Sequence, residues 1–231
     1  SGSPAPPPRT PPPGQAPHAK SEKETPSPNP VRHRTTNIAS AVGTAATGPA
    51  LHTACVHYGH IRVRKRIYGY HRCSLSTGAI LETLPLPYPP GEFGTSAFWI
   101  DIPLKLRDGI VRRPWLNFFA GLHSVLHTLL QLLPLHVVAD PWDLNGLSMD
   151  RHDQRRGAVL CVYDQVPGGL GICEKAFGQV HRLLQHCHRC ISKCPCERGC
   201  VACVFSPTCD CNNEGLDKKA AVCILDQLLF W

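Results

Sequence analysis

Apolar residues recur at three- and four-residue spacing from Trp115 to Leu133, through Leu116, Phe119, Leu122, Leu126, Leu129 and Leu130. That period predicts a helix, which Pro134 ends. A second helical stretch runs from about Ile172 to His186, with Ala176, Val180, Leu183 and Leu184 on one face. A third starts near Leu216–Asp217, where Asp217 is the expected cap, and turns Ala220, Ala221, Ile224, Leu225 and Leu228 to one side. Strand patterns lie between. His57 to Tyr70 mixes β-branched, aromatic and basic residues in partial alternation, which suits a half-exposed strand. Short strands are expected at Ala79–Leu84 and Ser96–Ile102, separated by a loop that Pro85, Pro87, Pro89, Pro90 and Gly91 hold extended. Asp140–Pro141–Trp142–Asp143 opens a polar loop to about Gly157, and Ala158–Tyr163 follows as a buried strand, closed by Asp164 and the turn Pro167–Gly168–Gly169–Leu170–Gly171.

These elements predict an α+β fold, a small mixed sheet with packed helices, over residues 51–231. Residues 1–50 are rich in Pro, Ser, Thr, Ala and Gly, with 11 prolines in the first 30 positions. Such a segment lacks the apolar surface to offset its ordering entropy, so a disordered Pro-rich tail is expected there. At 231 residues there is room for one ordinary domain and a tail. No segment joins a basic start, an apolar stretch and a small-residue cleavage site, so a secreted protein is not expected. The most apolar stretch, Trp115 to Ala139, is interrupted by Asn117, His123, His127, Gln131, Pro134 and His136, which argues against a membrane span.

The chain has 13 cysteines, and eight of them, from Cys187 to Cys211, fall within 25 residues. Reducing compartments disfavour disulfides, and local clustering suits a metal. Cys194–Pro–Cys196–Glu–Arg–Gly–Cys200–Val–Ala–Cys203 places four thiolates within ten residues. The C-x-x-C half supplies a knuckle turn that brings two sulfurs to one ion, and Gly199 permits the backbone to approach closely. Zinc takes four such ligands, and an iron–sulfur cluster can use the same set. Cys187/Cys190 and Cys209/Cys211 offer a second site with His186 or His188. His123 and His127 share a helix face, but without the Glu of a metalloprotease helix they are expected to pack or anchor a loop. The glycine turn after Asp164 lacks the Lys-Ser/Thr of a phosphate loop and dinucleotide spacing, and is expected to serve a tight strand-to-helix turn.

The net charge of +7 is concentrated. Residues 1–50 hold five Lys/Arg against two acids, residues 51–72 five against none, and the remainder 14 against 15. Arg62, Arg64, Lys65, Arg66 and Arg72 are therefore candidate phosphate contacts, with Tyr68 or Tyr70 placed to stack on a base. A basic edge strand, protected from unwanted pairing, gives the same pattern.

Taken in order, several blocks resemble the MrfA-like zinc-binding domain at the C-terminus of a group of superfamily-two DEAD/H-box DNA helicases, the RecQ-four-like repair helicases among them. The matching stretches include Thr95–Trp99, Gly121–His127, Leu133–Pro134, Ala139–Leu144, Tyr163–Asp164 with Pro167–Gly171, the C-x-C-x-x-x-C-x-x-C block and Leu216–Ala220. The resemblance implies that Cys194, Cys196, Cys200 and Cys203 hold one structural zinc ion. It implies a parent ATP-dependent 3′-to-5′ DNA helicase in DNA repair, with motor domains as partners in cis and single-stranded or damaged DNA as ligand. The setting would be the nucleus in a eukaryote and otherwise the cytoplasm. Val201 stands where the family usually has Pro, and the extra cysteines depart from a single-site pattern. The 231 residues contain neither a G-x-x-x-x-G-K-[ST] loop nor a DExH/DExD box, so no motor activity is expected of this chain. A helicase accessory module, a stand-alone zinc-dependent binding module and a zinc enzyme are the three readings. Four cysteine ligands leave no open coordination position, which disfavours the last.

Overall fold

The computed structural model describes residues 46–48, 51–67, 69–77, 79–86, 89–150, 157–209 and 211–230. In chain order the strands are β1 (Ala46–Thr47), β2 (Cys55–Lys65), β3 (Gly69–Cys73), β4 (Ile80–Pro85), β5 (Gly91–Pro103), β6 (Leu144–Met149) and β7 (Gly157–Asp164). The helices are α1 (Leu104–Val111), α2 (Phe118–Leu132), α3 (Ile172–Phe177), α4 (Val180–Lys193) and α5 (Lys218–Leu229). Five strands form one sheet in the order β1-β2-β5-β7-β6, with every pairing antiparallel, and β3–β4 form a separate ribbon.

Alternation along the central strands explains the layers. Phe98, Ile100, Ile102, Ala158, Leu160 and Val162 point to the helix side and join Leu122, Leu129, Leu183, Ile224 and Leu228 in the main core. Trp99, Val159, Cys161, Tyr163 and Leu147 form a smaller cluster on the opposite face. The α+β expectation holds, and the sheet expected to be mixed is antiparallel in every pairing among the described residues.

Four local details differ from the periodicity. The single strand expected over His57–Tyr70 is two strands in different sheets. The helix expected from Ile172 to His186 is broken at Gly178 into α3 and α4, and α4 continues to Lys193, so Cys187 and Cys190 are helical. α1 and β6 were not foreseen. β6 hides behind Gly146, normally a strand breaker, where a Cβ would meet Cys161 O at 2.7 Å and Leu126 Cδ1 at 2.5 Å. The glycine is there because α2 lies hard against the strand. α2 ends at Leu132, just before Pro134, and Leu133–Leu135 continues as one 3₁₀ turn.

The disorder expected of residues 1–50 lies outside the described residues except for Ala46–Gly48. There Ala46 pairs with Tyr58, Thr47 with His57, and Gly48 N–H donates to Val56 O at 2.9 Å. Phe118–Leu135 is long and apolar enough to cross a membrane by composition, and 61% of it is buried inside the fold.

Candidate metal centre

α4 leads directly into the cysteine loop. Pro195 cannot continue the helix, and Cys194 turns extended, with φ −68° and ψ 127°. The loop folds its sulfurs together: Cys194 Sγ lies 3.5 Å from both Cys196 Sγ and Cys200 Sγ, and Cys203 Sγ lies 3.5 Å from Cys196 Sγ and 3.8 Å from Cys200 Sγ. A disulfide needs about 2.05 Å. A zinc ion bonded to four sulfurs at about 2.3 Å spaces them about 3.8 Å apart at tetrahedral corners. The donor set therefore fits one zinc.

Backbone geometry supports the turn. Gly199 has φ +114°, and a Cβ there would run into Val204 and Phe205. Cys200 N–H donates to Cys203 Sγ at 3.4 Å. Lys218, at the first turn of α5 and only 9% exposed, donates to Cys194 O (2.6 Å) and Cys196 O (2.5 Å) and lies 3.5 Å from Cys196 Sγ. Four thiolates around a divalent ion carry net negative charge, and this ammonium offsets it. Burial pushes the Cys196 thiol up, but hydrogen bonds from Cys203, Cys194, Cys200 and the Gly199 backbone outweigh it and bring it down to about 7. Burial pushes Cys203 up to about 12. A metal ion must displace the protons that remain.

α2 grips the far end of the loop through three successive carbonyls. Thr128 Oγ1 donates to Cys203 O (2.7 Å), His127 Nδ1 to Val204 O (2.8 Å), and the Gln131 amide to Phe205 O. Asp217 then locks α2 to α5. Its carboxylate accepts from Asn117 N (2.8 Å) and Ala220 N (2.9 Å), so one side chain caps α5 and holds the start of α2.

The second pairing suggested by spacing does not assemble. Cys187 is fully buried in the main core, Cys190 donates to Ala202 O at 3.3 Å, His186 contacts His136, and His188 pairs with Asp226 at 2.8 Å. Instead Cys209 meets the two α2 histidines, with its Sγ 3.8 Å from His123 Nε2. One ligand atom from each of His123, His127 and Cys209 lies within 4.8 Å of the others. The i, i+4 histidine spacing was visible in the sequence, but the partner lies 86 residues away from His123. Burial pushes the Cys209 thiol up, and hydrogen bonds from His123, His127 and the Asn213 and Cys211 backbone outweigh it and bring it down to about 5.

The basic candidates are divided. Arg62 and Arg64 are exposed on one face of β2, Lys65 lies on the other, and Arg66 is exposed beyond the strand end. Arg64 is 2.5 Å from Glu92 and Arg72 is 3.1 Å from Glu82. Tyr70 and Arg72 belong to the β3–β4 ribbon, and Tyr68 lies outside the described residues. The glycine turn is self-contained: Asp164, fully buried, accepts from Leu170 N (2.6 Å) and Cys173 N (3.0 Å), while Gly168, Gly169 and Gly171 all have positive φ. Those amides are spent on the turn rather than on a phosphate.

Comparison with known proteins places this arrangement. The family model described as the MrfA Zn-binding domain matches residues 125–204. The chain is 27% identical over 184 residues to the ATP-dependent helicase HRQ1 of Saccharomyces cerevisiae, covering 75% of this chain and 17% of that protein. It is 25% identical over 174 residues to the uncharacterized ATP-dependent helicase YprA of Bacillus subtilis, covering 75% and 22%. It is 31% identical over 111 residues to the uncharacterized protein MJ1572.1 of Methanocaldococcus jannaschii, covering 47% of this chain and 99% of that protein. The chain thus spans about a fifth of the helicase relatives and nearly the whole of the archaeal one. Its fold is similar to that in a crystal structure of the DUF1998 helicase MrfA bound to DNA, with a TM-score of 0.55 at 21% identity, covering 83% of this chain and 25% of that one. The matched span runs from within α2 through β6, β7, α3 and α4 to the four-sulfur loop, and the chain belongs to the MrfA Zn-binding domain family.

Proposed function

We propose that this chain supplies the C-terminal accessory module of an ATP-dependent 3′-to-5′ DNA helicase of the repair class, residues 51–231 forming the module together with the short strand Ala46–Thr47 that pairs with β2. Its ion is structural, held by Cys194, Cys196, Cys200 and Cys203. One observation carries the reading: the four sulfurs converge on one point, inside the span that matches a helicase-associated zinc domain. A closed set of four protein ligands leaves no position for a substrate, so the ion holds the α4–α5 connection together rather than activating water. The helicase relatives support a motor in cis, because each is matched over only about a fifth of its length. DNA or a motor surface is the partner class that follows, in the nucleus for a eukaryotic parent.

The reading frame upstream of Ser1 tests this. Helicase motor motifs in the same frame are expected, and a start codon just before Ser1 with no motor would overturn the reading. A second reading, a stand-alone zinc-dependent binding module, rests on the archaeal relative, which this region covers almost completely. The same sequence determination separates the two.

A further inference from the structure

We propose that His123, His127 and Cys209 bind a second metal ion, a zinc-class cation, with Cys211 closing the fourth position. The site is distinct from the four-sulfur centre and goes beyond the proposed helicase role.

Two elements far apart in sequence build it. His123 and His127 lie one helical turn apart on α2, with ring centroids 4.2 Å apart and planes at 65°. Cys209 and Cys211 come from the loop before α5, with their sulfurs 3.4 Å apart. Zinc bonded to nitrogen at about 2.0 Å and sulfur at about 2.3 Å puts tetrahedral nitrogen and sulfur donors about 3.5 Å apart, and sulfur pairs about 3.8 Å apart. The observed 3.8 Å between Cys209 Sγ and His123 Nε2, and the 3.4 Å sulfur separation, lie close to those edges.

The supports are those of a ligand set rather than a chance crowd. His127 is 4% exposed, and a carbonyl can only accept, so Val204 O holds a proton on Nδ1 and a metal would take Nε2, displacing the hydrogen bond this ring makes to Cys209 in the metal-free protein. The cysteine loop is held in shape against strain. Asn212 and Asn213 have φ of 52° and 62°, the only non-glycine residues with positive φ among those described. The Asn213 side chain accepts from Ser206 N (2.7 Å) and donates to Ser206 O (3.0 Å), closing the loop on itself. A histidine paired with a cysteine nucleophile would need one imidazole; here two imidazoles and the Cys209 thiol converge, and the exposed Cys211 thiol, 3.4 Å from Cys209 Sγ, is the neighbour that would complete a Cys₂His₂ set on binding the ion.

Zinc K-edge absorption and elemental analysis of the full chain, purified with zinc under reducing conditions, test the site. The expected result is about two zinc ions per chain, with histidine scattering in the averaged first shell, falling to about one all-sulfur ion in Cys209→Ser/His123→Gln. Circular dichroism and the cobalt(II) spectrum of the remaining four-sulfur centre report whether that variant is folded. The wild-type spectrum stands independently of it: a shell containing sulfur alone would overturn the second site. So would unchanged zinc content in the folded variant, or a Cys209–Cys211 disulfide in the zinc-treated protein. One zinc with histidine in its shell would sink the four-sulfur reading and keep this one, so the two failures are distinguishable.

Discussion

Lys218 bears most on the four-sulfur centre among the residues that are not ligands. Its ammonium is nearly buried, and two carbonyls and a cysteine sulfur surround it. Lys218→Met keeps the length of the stem and removes the charge, leaving both carbonyls without a donor. Loss of such an outer partner costs about 10- to 100-fold in metal affinity. Competition with a chromophoric chelator should show zinc leaving the variant at correspondingly lower chelator concentration; equal affinity would mean that the ammonium serves helix packing alone. Cys209 gives a pH signature in the metal-free protein. Its folded pKa of about 5 lies below the ordinary value of 9.0, so the thiolate's stabilising hydrogen bonds are complete above 9.0 and are lost as the pH falls through about 5. Alkylation of Cys209 should therefore change little between about pH 6 and 8, whereas a thiol of ordinary pKa reacts roughly tenfold faster per pH unit. Peptide mass mapping after brief iodoacetamide treatment reads the difference.

Between elements, the contact of α2 with α5 is set by Gly121. A Cβ there would lie 2.6 Å from Ala220 Cβ and 2.8 Å and 2.9 Å from the backbone of Ala220 and Ala221. Backbone cannot move aside as a side chain can, so Gly121→Ala should destabilise by about 1–3 kcal/mol. Gly109, in α1, has open space around its Cβ position, and Gly109→Ala should stabilise by about 0.5–1 kcal/mol. Urea unfolding of the pair checks both signs. Periodicity finds α2 and α5 because their apolar faces repeat over many residues, and the Asp217 cap is visible for the same local reason. The four-sulfur loop is equally legible, since its ligands fall within ten residues. Beyond α1 and the break at Gly178, three features are not. β6 contains a glycine demanded by Leu126 on another element, β2 and β3 part within one continuous alternating run, and Cys209 meets His123 only after the chain has crossed the sheet. Tertiary proximity decides each of them, and local pattern carries none of it.

At the scale of the whole molecule, the basic segment has a defined setting. β2 pairs with β5 along its entire length, but on its other side β1 covers only His57 and Tyr58 among the described residues. Among the described residues the stretch Arg62–Lys65 is thus both an uncovered sheet edge and the strongest run of positive charge in the sheet, so protection of the edge and phosphate binding compete as explanations. Cross-strand register separates the two arginines that share a face. Arg64 sits opposite Glu92 and is paired with it, whereas Arg62 sits opposite Gly94, which offers no carboxylate. A DNA strand following this face would gain more from Arg62, because Arg64 must first give up its partner. Arg62→Glu should accordingly weaken single-stranded DNA binding more than Arg64→Glu. The double variant should flatten the salt dependence, since each phosphate contact contributes about 0.7 to the slope of log affinity against log salt for single strands. Anisotropy titrations of a labelled oligonucleotide at several salt concentrations, with circular dichroism confirming the fold, measure both quantities. Edge protection alone predicts aggregation of the double variant at unchanged affinity and slope, and that outcome would remove β2 from the DNA path.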